Sequence, residues 1–332
     1  MVSLGIGLTS DCNLSCAHCY RDQAQIYNLS LNDIQTVCDS ISISSIGFGT
    51  GENGLNPEYF DIIEYLHSRK FRLTLASNGY TLSITPDDKL KYFSDVEFSV
   101  DFPDQQRQDQ FRGTGNWQTI MESIDRCRKL GIRVSILAVL MNLNYKDLGE
   151  IAHLAASFGA DFRVNVYQPM YTHEFMPSFD QYWRAFNILF EDCEIISVTE
   201  PLVNTFLGRN GLKGTPCGCQ SMRITPDRHL KACVYWPQAD LTIEDLAKEK
   251  EAVFESPQFK LTHQTPQFCL SCEYVQNCGG GCAARRKLRG CFDEPDEFCP
   301  IFQDKRIEIA GRLSSAEKPL RTGSICTTIV KP

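Results

Sequence analysis

Three cysteines stand close together near the start of the chain, in the stretch C-N-L-S-C-A-H-C-Y. A structural zinc site takes four ligands and a disulfide joins two thiols, so three thiols fit neither. Three thiolates hold three irons of a cubane [4Fe–4S] cluster, and the fourth iron then stays open to an outside ligand. The odd number therefore predicts an iron–sulfur cluster at Cys12, Cys16 and Cys19 with one iron able to take a chelating ligand.

Composition indicates a cytoplasmic protein. The chain has 332 residues, 16 cysteines and a formal charge of −8, with acidic and basic residues interspersed. A nucleic-acid partner usually leaves a basic footprint, which this chain lacks. The first ten residues do not resemble a signal peptide, and no apolar run is long enough to span a bilayer. We therefore expect no nucleic-acid or membrane partner. Disulfides are rare in the cytoplasm, so we expect the clustered cysteines to bind metal or to take part in catalysis.

Strand-like and helix-like segments alternate through the first 200 residues. Short apolar or β-branched runs predict strands at 2–9, 43–49, 72–76, 96–100, 133–140 and 162–168. Helical periodicity occurs at 57–69, 116–131, 146–158 and 179–193. This alternation predicts parallel βαβ units in an α/β fold, and six units are too few for an eight-unit barrel. The pattern is therefore compatible with two architectures, an open partial barrel and a doubly wound sheet.

The composition changes after about residue 200. Helical periodicity thins, and nine of the 16 cysteines lie between Cys217 and Cys299. We expect a first domain at 1–200 and a small second domain at 201–310 that is held together by metal rather than by an apolar core. Residues 311–332 are polar and contain Cys326, and they are predicted to form a mobile or lightly docked tail.

The C-x3-C-x2-C motif, placed after the first strand and with His18 before its third cysteine, resembles that of the radical S-adenosylmethionine (SAM) superfamily. In that family the open iron binds the amino and carboxylate groups of SAM, and electron transfer cleaves SAM to methionine and a 5′-deoxyadenosyl radical. The resemblance implies a partial (β/α)6 barrel and a low-potential electron donor such as flavodoxin or ferredoxin. Half a zinc site, or three buried thiols, is the alternative.

Further residues are assigned to SAM by the same resemblance. The stretch F-G-T-G-E-N-G resembles the family's Gly-Gly-Glu segment, although Thr50 and Asn53 depart from the usual residues. Glycine lets the backbone approach the SAM ammonium group, and a carboxylate attracts it. The implied cofactor-binding residues are His18, Thr50, Gly51, Glu52, Ser77, Asn78, Ser99 and Arg112. Asp101 is the candidate catalytic residue that faces the substrate, with a strand-end cap as the alternative.

The C-x2-C-x5-C-x3-C motif that begins at Cys269 resembles the SPASM domain, an extension of many radical SAM enzymes that carries two auxiliary [4Fe–4S] clusters. The resemblance implies an inner cluster on Cys217, Cys219, Cys233 and Cys282 and an outer cluster on Cys269, Cys272, Cys278 and Cys299. Because the C-G-C spacing is short, the alternative is that one of Cys217 and Cys219 does not ligate and leaves an iron open. A zinc ribbon is the other alternative.

SPASM enzymes mostly modify peptides, so the resemblance implies a maturase that acts on a ribosomally synthesised precursor peptide. Sulfatase-maturing members have an aspartate where this chain has Val234, which counts against that role. We expect an oxidative cross-link or desaturation, with any peptide-recognition protein separate or not needed. A peptide epimerase, or a dehydrogenase or epimerase of a sugar or aminocyclitol, is the alternative. In an epimerase Cys291 is the candidate catalytic hydrogen donor; otherwise it is a loop thiol or a substitute ligand.

Anaerobic reconstitution is expected to give about twelve irons per chain, because three cubane clusters hold four each. Iron and acid-labile sulfide analysis measure this number. Stoichiometric zinc in a colourless protein would contradict the expectation.

Overall fold

The computed structural model describes residues 1–208, 214, 216–237, 239–316 and 326–332. The strands within these residues form a single sheet. They are β1 (Val2–Ile6), β2 (Ile43–Phe48), β3 (Leu73–Ser77), β4 (Phe93–Ser99), β5 (Arg133–Leu140), β6 (Asp161–Val166), β7 (Glu194–Val198), β8 (Ser221–Ile224), β9 (His229–Lys231), β10 (Leu241–Thr242), β11 (Arg312–Leu313) and β12 (Thr328–Lys331).

Helices connect most of the strands. They are α1 (Leu31–Ser40), α2 (Tyr59–Ser68), α3 (Tyr80–Ile84), α4 (Asp87–Leu90), α5 (Gln105–Arg112), α6 (Asn116–Lys129), α7 (Leu148–Ser157), α8 (Phe179–Asp192), α9 (Pro201–Phe206), α10 (Ile243–Glu249), α11 (Pro257–Leu261), α12 (Val275–Cys278) and α13 (Ala283–Leu288), with short 3-10 helices at Asn53–Leu55, Lys250–Glu255 and Gln267–Cys269. Within the described residues, no helix has the length and apolar character needed to cross a membrane.

The first six strands pair in chain order and are all parallel. Every residue of β1 is buried, as expected of a parallel strand that is covered on both faces. The helices begin at specific caps: Ser30 and Asp33 form a capping box at the start of α1, and Ser178 and Gln181 form another at the start of α8. The predicted α/β fold with six parallel strands is confirmed.

The cysteine-rich half of the chain continues the same sheet beyond β1. Strand β8 pairs parallel to β1, with Leu4 opposite Met222, and β9 and β10 follow as antiparallel neighbours. Since β1 also pairs with β2, it is hydrogen-bonded on both sides. The sheet therefore runs across the boundary predicted at residue 201, and the domain limits themselves stay a prediction.

The last strand corrects the expectation of a lightly docked tail. Strand β12 lies between β6 and β7 and is antiparallel to both, with Thr328 opposite Val164 and Val198. Val330 is completely buried. The residues T-T-I-V are β-branched or apolar and fit a pleated, buried surface, but four such residues are too short a run to predict a strand.

Val330→Ala is expected to lower the free energy of unfolding by roughly 2 kcal/mol, because two buried carbon groups are removed and a small cavity remains. Lys331→Ala, on the exposed neighbour, is the matched control and should change stability by less than about 0.5 kcal/mol. Chemical denaturation measures both. If both substitutions change the free energy of unfolding by the same small amount, this strand docks only loosely.

Candidate functional site

One cavity collects the residues predicted for the three-thiol cluster and for SAM. It opens at the carboxyl ends of β1 to β4, where the loops after parallel strands meet. All eleven predicted residues line it: Cys12, Cys16, His18, Cys19, Thr50, Gly51, Glu52, Ser77, Asn78, Ser99 and Arg112. The cavity thus brings together segments that are up to 100 positions apart in the chain.

The loop that carries the three thiols is held by a buried arginine. Arg21 donates to the carbonyl oxygens of Ser10 at 2.9 Å and Leu14 at 2.8 Å, which fixes the loop on either side of Cys12. Asn78 Nδ2 lies 3.5 Å from the Cys12 sulfur. Burial raises the pKa of Cys12 to about 11. The thiol therefore keeps its proton at neutral pH until a metal displaces it.

The turn after β2 adopts an unusual backbone. Thr50 has φ +76° and Gly51 has φ +62°. A side chain at Gly51 would place its Cβ 2.4 Å from the carbonyl oxygen of Thr9, so this position requires glycine. Left-handed geometry costs a threonine about 1–3 kcal/mol. The Thr50 hydroxyl is hydrogen-bonded to the Tyr20 hydroxyl at 2.9 Å and accepts a hydrogen bond from the Arg223 guanidinium, and these contacts offset the strain.

Glu52 is buried and holds the turn that follows β3. Its carboxylate accepts hydrogen bonds from the Ser77 hydroxyl and from the backbone N–H groups of Asn78, at 3.0 Å, and Thr81, at 2.8 Å. Burial raises the pKa of Glu52, and the hydrogen bonds from Ser77 and Thr81 oppose that shift. The contact between Glu52 and the SAM ammonium stays a prediction, and the structure adds a role in joining the loops after β2 and β3.

Asp101 and Arg112 form a buried ion pair beside the thiols. The guanidinium Nε lies 2.8 Å and Nη2 lies 2.7 Å from Asp101 Oδ2, while Oδ1 accepts from the Val139 N–H at 2.9 Å. Asp101 is fully buried and does not line the cavity, whereas Arg112 does. This geometry orients Arg112 toward the cavity and gives no support to a contact between Asp101 and substrate, which stays a prediction.

His18 packs against the same ion pair. Its ring stacks on Phe111 at 4.8 Å between centroids, and its Nε2 lies 3.5 Å from Asp101 Oδ2. Burial lowers the pKa of His18 to about 4, so the ring is neutral at physiological pH. Its Nδ1 is buried and has no hydrogen-bond partner among the described residues, which leaves one ring nitrogen available to a ligand.

Residues from the second half of the chain also line the cavity, and sequence reasoning did not find them. Arg223, on β8, donates to the carbonyl oxygen of Gly49 and to the Thr50 hydroxyl. Tyr235 packs edge-on against Tyr20 at 5.2 Å. The signal for Arg223 is a single charge inside the apolar strand S-M-R-I between two cysteine motifs.

The structure brings seven of the eight thiols predicted for the auxiliary clusters together in two places. Cys269 lies near Cys278, Cys299 and Cys272, and burial together with these neighbours raises its pKa to about 12. These four residues are the outer thiol group, and they are the four predicted for the outer cluster. Within the described ranges no three or more Cys, His, Asp or Glu side chains close around a single metal ion. A cubane cluster spaces its cysteine ligands more widely than one ion does.

The second group of thiols contains three of the four residues predicted for the inner cluster. Cys217, Cys233 and Cys282 are buried and pack together, and a hydrogen bond from Cys217 lowers the pKa of Cys233. Cys219 is exposed instead, with its sulfur 3.5 Å from His263 Nε2. Cys291 is half-buried in the loop after α13, does not line the cavity, and its carbonyl accepts from the Glu294 N–H at 3.1 Å.

The cavity suits a small polar cofactor beside an iron–sulfur cluster. Three thiols face it, and three buried polar atoms of its lining have neither a hydrogen-bond nor an ion-pair partner among the described residues: His18 Nδ1, Asn165 Oδ1 and Arg223 Nε. Buried polar atoms without partners cost stability unless a ligand or water satisfies them. The donor set therefore fits the group that the sequence implies.

Comparisons with known proteins agree with this site. Residues 6–155 match the radical SAM superfamily. The chain is 23% identical over 318 residues to mycofactocin maturase MftC of Mycobacterium tuberculosis, with 88% of this chain and 81% of MftC covered.

Two solved structures share the fold. One is native anSMEcpe with bound AdoMet and the Kp18Cys peptide, with a TM-score of 0.68, 17% identity, and 91% of this chain and 95% of that chain covered. The other is Streptococcus suis SuiB bound to the precursor peptide SuiA, with a TM-score of 0.63, 15% identity, and 90% and 75% covered.

Asp101→Asn is expected to weaken SAM binding roughly tenfold or more, because a hydrogen bond to a charged group contributes about 1.5–3 kcal/mol and Arg112 loses its orienting partner. Titration calorimetry on the anaerobic, cluster-loaded protein measures the affinity, and the exposed Asp88→Asn is the control. A lower thermal midpoint with unchanged SAM affinity would limit Asp101 to a structural role.

Proposed function

Since residues 6–155 match the radical SAM superfamily, we propose that this chain is a radical SAM peptide maturase that removes two hydrogens from a ribosomally synthesised peptide. The product is a cross-linked or desaturated peptide. A low-potential donor such as flavodoxin or ferredoxin provides the electron that starts each event. When bound, the cofactors supply reductive cleavage of SAM, hydrogen abstraction from carbon, and an acceptor for one electron.

The single observation that carries the proposal is the composition of the cavity. The three thiols lie next to Arg112, Ser99 and the turn at Thr50 and Gly51. A cation beside the thiols suits the SAM carboxylate, and the carbonyl oxygens of a glycine-rich turn suit its ammonium group. The chain thus offers partners of opposite charge for the two ends of an amino acid, next to a place for one open iron.

The polar side chains that line the cavity are buried, which limits their contact with water. Arg112 is only 10% exposed and Glu52 is 1% exposed. Water is therefore largely excluded from the polar contacts of the cavity, which strengthens them and protects a reactive intermediate from solvent.

The choice of a peptide rests on the relatives. Mycofactocin maturase MftC covers most of this chain, and the SuiB structure contains a precursor peptide. The fold is shared over nine-tenths of this chain with the second of these. We extend the substrate class of these proteins to this chain.

The choice of oxidation rests on the two additional thiol groups. Auxiliary clusters beside a radical site are useful when the substrate must lose an electron, because they can accept it. Their ligands, hydrogen bonds and solvent exposure set their reduction potentials and so tune them for this role. The substrate then loses one hydrogen atom, which leaves in 5′-deoxyadenosine, together with one proton and one electron. One SAM is consumed per event, and no hydrogen returns from solvent to the attacked carbon.

The first experiment tests the radical SAM site without a peptide. Reconstituted protein with dithionite and SAM is expected to form 5′-deoxyadenosine, measured by liquid chromatography and mass spectrometry. The variant with Cys12, Cys16 and Cys19 all changed to Ala should form none, while its iron falls from about twelve to about eight per chain. Persistent 5′-deoxyadenosine in this variant would refute the cluster assignment.

The second experiment tests the reaction on a peptide. The probe is a candidate precursor peptide, to be sought among the short reading frames beside the gene, incubated with SAM and reductant in deuterium oxide. We expect a product lighter by two hydrogens, without deuterium at the attacked carbon. A product of unchanged formula that gains one deuterium on carbon would replace oxidation by epimerisation and would return attention to Cys291 as hydrogen donor.

A further inference from the structure

We propose that Cys326 is the fourth ligand of the inner auxiliary cluster, in the position that the sequence pattern gives to Cys219. The inner thiol group then consists of Cys217, Cys233, Cys282 and Cys326. This inference rests on the proposed function, because it requires that the inner cluster exists. It concerns a residue outside the cysteine motifs, separated from the last of them by a long stretch of chain.

The four sulfur atoms lie together in the structure. The Cys326 sulfur is 3.9 Å from that of Cys217, and Cys217 in turn hydrogen-bonds with Cys233. Cys326 packs against the apolar cluster that contains the other three thiols. Cys282 is 5% exposed and belongs to the same cluster as Cys217 and Cys233. The four thiols therefore share one site.

The sheet fixes Cys326 at this place. The next residue, Thr327, donates from its N–H to the Thr199 hydroxyl at 2.8 Å and accepts from the Thr199 N–H at 2.9 Å. Strand β12 begins immediately after it and pairs on both sides. A ligand held by backbone hydrogen bonds loses little further entropy when it binds a cluster.

On the other side of the inner thiol group, Cys282 is also held in place. Asp296 accepts from the Cys282 N–H at 2.8 Å and binds the Arg285 guanidinium at 2.6 Å. Arg285 is 1% exposed, and its Nη1 has no hydrogen-bond partner in the part of the chain that the structure describes. A buried N–H donor on a cation close to Cys282 matches the needs of a cluster with negative charge, whose sulfur atoms accept such hydrogen bonds.

Cys219 has a different environment. Its side chain is exposed, and its sulfur lies within 3.5 Å of His263 Nε2. Cys217, two residues earlier, is 3% exposed and faces the group. Between them lies Gly218 with φ +77°, a left-handed turn that sends the two side chains to different surroundings.

Four cysteine ligands leave no open iron on the inner cluster. A closed cluster accepts or passes electrons and does not bind the substrate directly. The inference therefore deepens the proposed function: the inner cluster takes up an electron, and the peptide meets protein side chains alone at that place.

Alkylation of the wild-type protein provides the first test. In the anaerobic, cluster-loaded protein, iodoacetamide is expected to label Cys219 and to leave Cys326 unlabelled, because a metal-bound thiolate is not available as a nucleophile. After removal of the clusters with ferricyanide and EDTA and reduction of the released cysteines with a phosphine, Cys326 labelling should rise on the order of tenfold while Cys219 changes little. Peptide mass spectrometry reads both sites. Equal labelling of Cys326 before and after removal would overturn the assignment.

Cluster content in three variants provides the second test. Cys326→Ala is expected to lose iron, from about twelve toward about eight per chain, or to show the paramagnetic resonance signal of a three-iron cluster, whereas Cys219→Ala and Cys291→Ala keep about twelve. Loss in Cys219→Ala with none in Cys326→Ala would return the ligand to the family position. About four irons in the wild type would instead refute the auxiliary clusters themselves. The alkylation result stands even when Cys326→Ala fails to fold.

Discussion

The pairing of β1 on both of its edges is the constraint on which the site depends. This strand takes parallel partners from the first half of the chain, β2, and from the cysteine-rich half, β8. The three-thiol loop follows directly from it, so both halves of the chain reach the loop. Arg223 on β8 illustrates the result, since it contacts the turn after β2. A shift of β1 by one residue would turn its side chains to the other face and displace the thiols together with it.

Buried charges position the ligands rather than add to stability. Asp101 with Arg112, and Asp296 with Arg285 and Glu200, are buried ion pairs. Pairs of this kind gain little free energy after desolvation, but removal of one partner costs about 3–5 kcal/mol. Each set lies next to a thiol, and each bonds to backbone as well as to side chains. Their geometry is therefore strongly determined where iron–sulfur ligands need fixed positions.

Local patterns in the sequence predicted the parallel strands and singled out residues that the structure gathers around one cavity, because period and motif spacing are local properties. The outer thiol group was predicted for the same reason, including Cys299 rather than Cys291. The sequence did not show which strands distant in the chain would pair with each other. Strand β12 offers four residues, and nothing near Cys326 indicates that its partners lie on β6 and β7. Arg223 was missed because its function depends on β8 lying beside β1.

The position of β12 has a consequence for biosynthesis. Thr327 and Val164 are 163 positions apart, yet they meet in one sheet. A polypeptide emerging from the ribosome completes β1 to β6 long before this contact becomes possible, and non-local pairings of this kind form slowly. The gap between β6 and β7 therefore closes late. Until β12 inserts, no strand lies between the facing edges of β6 and β7, and Cys326, just before β12, is not yet held beside Cys217.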